Sequence, residues 1–261
     1  MRIFNKQSIR LWLYANKKIF TGLRIIRYLI HHLPIKYLII QTFKIVSFKP
    51  ILRSTISIDK GLSFNEIVSN INTHGFSIGS VVSKEIVSKI LRNYENDTGA
   101  VYYDAHLNNK DLNDLITSDY IIGIVCQYLG FEPKLFSCTV TVDIPGSQKT
   151  TKEAESFFHY DISGVKSLNV FIYLTDVCEE SMPHIAIQGS HKHKRFRHLF
   201  SGKLNLSEAE KFYSNRIMSL TGKSGTIYFE NTEVFHKKGL PRSKDRVMIN
   251  VLYTHPVSPI F

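Results

Sequence analysis

The residues best suited to chemistry in this chain are His159 and Asp161, separated only by Tyr160. On a strand, side chains two apart leave the same face, so an imidazole nitrogen and a carboxylate oxygen could reach one metal ion while Tyr160 turns away. A His-x-Asp triplet alone is weak evidence, because a chain with 11 histidines readily produces one by chance. A third donor strengthens it. His236 lies just ahead of a Gly239-Leu240-Pro241 turn, and Arg246 follows ten residues later at the head of an alternating apolar stretch. Two imidazoles and one carboxylate on one face of an octahedral ferrous ion leave three positions free. A 2-oxo acid could chelate two of these and dioxygen could take the third. The planar fork of Arg246 would match the distal carboxylate of 2-oxoglutarate bidentately.

These residues need a rigid scaffold. After Pro133 the sequence alternates over residues 135–144, 168–174, 184–187, 226–229 and 247–252, with Pro145-Gly146, Gly189, Gly222, Gly225 and a 239–243 turn between the runs. Residues 54–134 read as mainly helical. Ser63 with Glu66, and Ser83 with Glu85, mark helix starts; residues 114–129 form a further helix ended by Gly130, and 75–79 a turn and short strand. Helices followed by many short strands define an α+β protein whose C-terminal half, 135–261, is a sandwich or barrel.

The 261 residues suffice for one large core, and 43% apolar with 21% charged residues excludes disordered and collagen-like classes. The net charge of +11 is localised. Residues 1–53 carry eleven Lys or Arg before the first acid, Asp59, and beyond them 22 bases balance 22 acids. A basic amphipathic helical segment of this kind, with Trp12 and Tyr14, suits an anionic membrane surface or packing on the body of the protein; no nucleic-acid module is visible. Its longest uncharged run, 28–35, is far below the roughly 20 residues of a membrane span, and no secretory signal pattern is present. Cys126, Cys138 and Cys178 show no close pairing and read as small buried residues in a reducing compartment. The dense basic loop containing His191, His193 and His198 reads as a solvated face, or as a cradle for an anionic substrate group, and Asn169 and Thr175 could line a cavity.

Taken in order, the stretches 158–161, 168–177, 189–192 and 234–241, then Arg246 and Tyr253, resemble the phytanoyl-CoA dioxygenase-like family of iron(II)/2-oxoglutarate oxygenases. The resemblance covers about residues 135–254. It implies a double-stranded β-helix (jelly-roll) core with the helical N-terminal half packed around it. It assigns the metal to His159, Asp161 and His236, and the 2-oxoglutarate carboxylate to Arg246, with Arg242 as the alternative because the His-to-Arg spacing is a residue short of that in some relatives. Because Asp161 is present, it implies hydroxylation of a small molecule or a related C–H oxidation, with release of succinate and carbon dioxide, in preference to halogenation. The substrate could be CoA-, lipid- or nucleotide-linked, and the setting cytoplasmic, with peripheral contact at the inner face of a membrane. The competing reading is a catalytically silent jelly-roll binding module tethered to an anionic surface. Where the family often has Glu-Asn-Gly-Pro, this chain has Glu180-Ser181-Met182-Pro183, so the turn is expected to avoid positive φ or to deform.

Overall fold

The computed structural model describes residues 61–95, 99–146, 157–163, 166–195, 198, 201–240 and 243–255. The basic segment 1–53, for which membrane contact was an expectation, and Arg242 lie outside these residues.

Helix α1 (Phe64–His74) begins with a capping box in which Ser63 and Glu66 satisfy each other's backbone N–H groups, and ends at Gly75 with φ +93°. Its apolar side buries Ile67 and Ile71. After β1 (Phe76–Val81), α2 (Lys84–Leu91) starts at Ser83, as its spacing predicts. Strand β2 (Ala100–Tyr103) leads to α3 (Lys110–Ile116) and α4 (Asp119–Leu129), which occupy the region where the sequence suggested a single helix. Thr117 Oγ1 bonds the Asn113 carbonyl, and Ser118 adopts an extended N-cap conformation, so two hydroxyl residues break the run.

The remaining elements are β3 (Lys134–Asp143), β4 (Phe157–His159), β5 (Ser167–Tyr173), β6 (His184–Ile187), β7 (Lys203–Asn205), α5 (Leu206–Tyr213), β8 (Ile217–Leu220), β9 (Thr226–Asn231), β10 (His236–Lys238) and β11 (Arg246–Thr254). They form two antiparallel sheets, ordered β1-β9-β5-β11-β3-β2 and β7-β4-β10-β6-β8. The short strands β4, β7, β8 and β10 had no alternating signature: three or four residues carry little pattern, and of the four-residue strands only β6 showed one. Segment 54–134 is not purely helical: β1 and β2 form both edges of the larger sheet.

Three apolar layers follow from this pairing. The outer face of the larger sheet (Val170, Ile172, Phe229, Ile249) packs on the helices through Ile67, Ile71, Leu115 and Ile121. Its inner face (Phe171, Tyr173, Tyr228, Met248) meets Ala186 and Leu220 of the smaller sheet. The outside of the smaller sheet is covered by α5, with Phe158, Leu204 and Phe235 against Ala209 and Tyr213. Strand β5 therefore lies between two cores and buries all seven residues.

Gly225 turns the chain into β9 at φ +91°, and an added Cβ would lie 2.4 Å from the Val82 carbonyl oxygen. We expect Gly225→Ala to cost at least about 1 kcal/mol, read as a lowered midpoint in urea unfolding, since both the φ and the space forbid a side chain.

Candidate metal centre

His159 ends β4 and His236 begins β10, and the two strands pair with these residues directly opposite. Their rings meet edge to face at 4.5 Å between centroids. Asp161 lies beyond the end of β4, so strand alternation does not place it. Its backbone N–H instead donates to the Thr232 carbonyl (2.8 Å), which brings Asp161 Oδ2 to 3.6 Å from His236 Nε2. Three donors from two distant parts of the chain thus lie within 4.8 Å of one another, the reach of a single ion. Asp161 is half exposed whereas His236 is buried, so the group faces solvent on its carboxylate side.

The protonation states differ across the site. Burial, reinforced by the neighbouring His236, lowers the pKa of His159 to about 4, leaving its imidazole neutral and able to donate a lone pair at pH 7. Burial also opposes charge on His236, but Glu230 and Asp161 outweigh it and raise the pKa to about 9. A metal ion entering here must therefore displace a proton from His236.

Arg246 enters the same barrel interior from the opposite sheet. It is 2% exposed, and its Nε and Nη2 both donate to Asp143 Oδ2, at 3.0 and 2.6 Å. Its Nη1 donates to the Met182 carbonyl at 2.5 Å. Lys238, on the same face of β10 as His236, pairs with the other Asp143 oxygen. These contacts commit three of the five guanidinium N–H groups, and the trio of Arg246, Lys238 and Asp143 carries one net positive charge. Such a charge deep in a barrel suits a carboxylate.

The turn feeding this cluster does not avoid positive φ: Met182 takes φ +55° where a glycine would be unstrained. Its side chain is fully buried and its carbonyl is the one held by Arg246, so packing and a charge-assisted hydrogen bond offset the strain.

Other expectations change. The basic loop is exposed at Lys192, His193 and Arg195, as a solvated face is, but His198 is buried and His191 is half-buried, burial lowering its pKa to about 4 with its Nε2 3.2 Å from the Asn72 carbonyl. Thr175 Oγ1 accepts from Val247 N–H, a structural role, and Asn169 is buried within β5. Cys126 and Cys138 are buried, but Cys178 is not; the Ser181 hydroxyl and then the Glu180 backbone hold its thiol below the ordinary value. Sequence reasoning missed Asp143, His184, Glu230 and Lys238. Lys238, two residues after His236 on a strand, and Glu230, an acid closing an otherwise apolar run, carried a readable signal.

No protein-family model matches the chain, and no curated protein matches it. Solved structures do. HygX from Streptomyces hygroscopicus with iron bound superposes with a TM-score of 0.60 at 16% identity, over 76% of this chain and 88% of that one. SnoK, the non-haem α-ketoglutarate-dependent carbocyclase from nogalamycin biosynthesis, gives 0.58 at 20% identity over 77% and 87%. EctD from S. alaskensis in its apoform gives 0.57 at 15% over 80% and 82%. The fold is an α+β one with a jelly-roll core, shared with non-haem iron, 2-oxoglutarate-dependent proteins such as SnoK.

Proposed function

We propose that this protein is a non-haem iron(II), 2-oxoglutarate-dependent dioxygenase of the phytanoyl-CoA dioxygenase-like type, hydroxylating a small molecule. The observation that carries this reading is the convergence of His159, Asp161 and His236 within 4.8 Å at one side of a barrel that also contains Arg246. The donor chemistry fits ferrous iron: two imidazoles, one of them neutral at pH 7, and a carboxylate are the set that leaves positions open for cosubstrate and dioxygen. HygX, which shares the fold, has been crystallised with nickel and 2-oxoglutarate.

In this reading His159, Asp161 and His236 hold the ion. When bound, iron supplies the capacity to reduce dioxygen together with the oxo acid, one oxygen atom ending in succinate and the other in the hydroxylated product. The chain's own part is positional. Asp143 and Met182 orient the Arg246 guanidinium, whose remaining N–H groups take the distal carboxylate of 2-oxoglutarate, with Lys238 adding charge. The apolar inner wall of Phe171, Tyr228 and Met248 keeps water from the deep end. The exposed side of Asp161 is where substrate approaches.

A second class of target follows from charge: the basic segment 1–53 would attach the enzyme to anionic lipid, favouring a lipid-linked or anionic substrate in the cytoplasm. Among the described residues no helix is long and apolar enough to cross a membrane.

Purified protein given iron(II), ascorbate and 2-oxoglutarate is expected to release succinate, slowly without its substrate. Folded, iron-loaded protein that binds 2-oxoglutarate and never consumes it would establish the binding-module alternative instead.

A further inference from the structure

On the far side of the His236 ring from Asp161, the barrel interior contains a second group of polar residues. Glu230 is fully buried on β9, where an isolated carboxylate is costly. His184 Nε2 lies 2.9 Å from its Oε2, and the His184 ring is held against Phe171 at 4.4 Å between centroids. The other oxygen, Oε1, is 3.2 Å from His236 Nδ1. That ring nitrogen makes its aligned hydrogen bond to the Val234 carbonyl at 3.0 Å, and no aligned hydrogen bond reaches Oε1. The Val234 bond fixes the tautomer with Nε2 toward the ion, and a buried carboxylate oxygen facing the same imidazole edge has a physical rationale if that ring serves as a ligand: its charge makes the imidazole a stronger donor.

We propose that Glu230, held in place by His184, is the outer partner that orients His236 and strengthens it as a metal ligand. The inference rests on the iron site proposed above, with His236 Nε2 directed to the ion. His184, Glu230 and His236 could themselves enclose an ion, since their donor atoms also lie within 4.8 Å of one another. In this structure, however, His184 Nε2 and Glu230 Oε2 bond each other, and all three residues are buried, which leaves no side open to cosubstrate. Glu230 is therefore a positioning residue, acting through His236.

The test is titration of the metal-free, full-length protein with Co(II) alone, followed by its visible absorption. Glu230→Gln retains the shape of the side chain and is expected to weaken Co(II) binding by about 10–100-fold, the usual effect of losing such a partner. The thermal midpoint of the metal-free protein should stay close to wild type, which separates orientation of a ligand from general support of the fold. Glu230→Asp retains the charge but withdraws it by one methylene, and should weaken binding in the same direction. Wild-type Co(II) affinity in either folded variant overturns the proposal. His159→Ala separates the two levels of the argument. If it abolishes Co(II) binding while the Glu230 variants bind normally, only the positioning role fails. If it leaves binding intact while His184→Ala abolishes it, the ion belongs to the inner group and the iron site proposed above fails with it.

Discussion

Replacing His159 by alanine is expected to abolish iron-dependent succinate formation while leaving the protein folded. His159 sits at the end of a three-residue strand with a neutral, partly exposed ring, so its removal takes away little packing. It takes away one of three donors, however, and the loss should exceed the roughly 10–100-fold that removal of an outer partner costs. The pH dependence of the wild type provides an internal check. His236 has a raised pKa, so its favourable charged interactions in the metal-free protein are fully present below its unfolded value near 6.5 and fade as the pH rises through about 9. Metal competes with that same proton, so the ion should bind more tightly at pH 8 than at pH 6. His159, neutral until about pH 4, adds nothing to that slope. Iron(II) or Co(II) titrations at the two pH values measure it. Equal affinity at both would mean that His236 does not face the ion.

Removing Arg246 should produce the second large effect, on two quantities at once. Arg246 and Asp143 are each 3% exposed at the side chain, and breaking a buried pair from one side costs about 3–5 kcal/mol. The retained Lys238 contact to Asp143 should hold Arg246→Met toward the lower end of that range. The same variant should lose most of its affinity for 2-oxoglutarate, because no other guanidinium among the described residues is buried in the barrel. Stability and binding can be separated with the double variant Arg246→Met, Asp143→Leu. Exchanging both partners for apolar groups is often neutral, so urea unfolding should recover toward wild type. Cosubstrate affinity should not recover. A double variant that saturates with 2-oxoglutarate like the wild type would remove Arg246 from the cosubstrate site and leave it a purely structural residue.

Much of the architecture was legible because it depends on local patterning. The capping box at Ser63 opened α1 and the turn at 75–79 led into a strand, both as expected, and the alternating runs became β3, β6 and β11. The one long helix that became two was misread because apolar spacing continues across Thr117 and Ser118, whereas the break is made by their side chains. The three-residue strands β4, β7 and β10 were invisible because their conformation is imposed by partners: β4 and β10 exist as strands only against each other, β7 and β6.

The chemistry divides the same way. Residue type and order along the chain were enough to single out His159, Asp161, His236 and Arg246, since few side chains can bind a ferrous ion or grip a carboxylate. Their mutual distances, the burial that keeps one imidazole neutral and the other charged, and the presence of Glu230, His184, Asp143 and Lys238 around them depend on strands from two sheets closing over one interior. Electrostatic interaction depends on separation in space and on the surrounding dielectric, and neither is a property of sequence spacing. Tertiary structure alone therefore decides which acid sits beside which histidine.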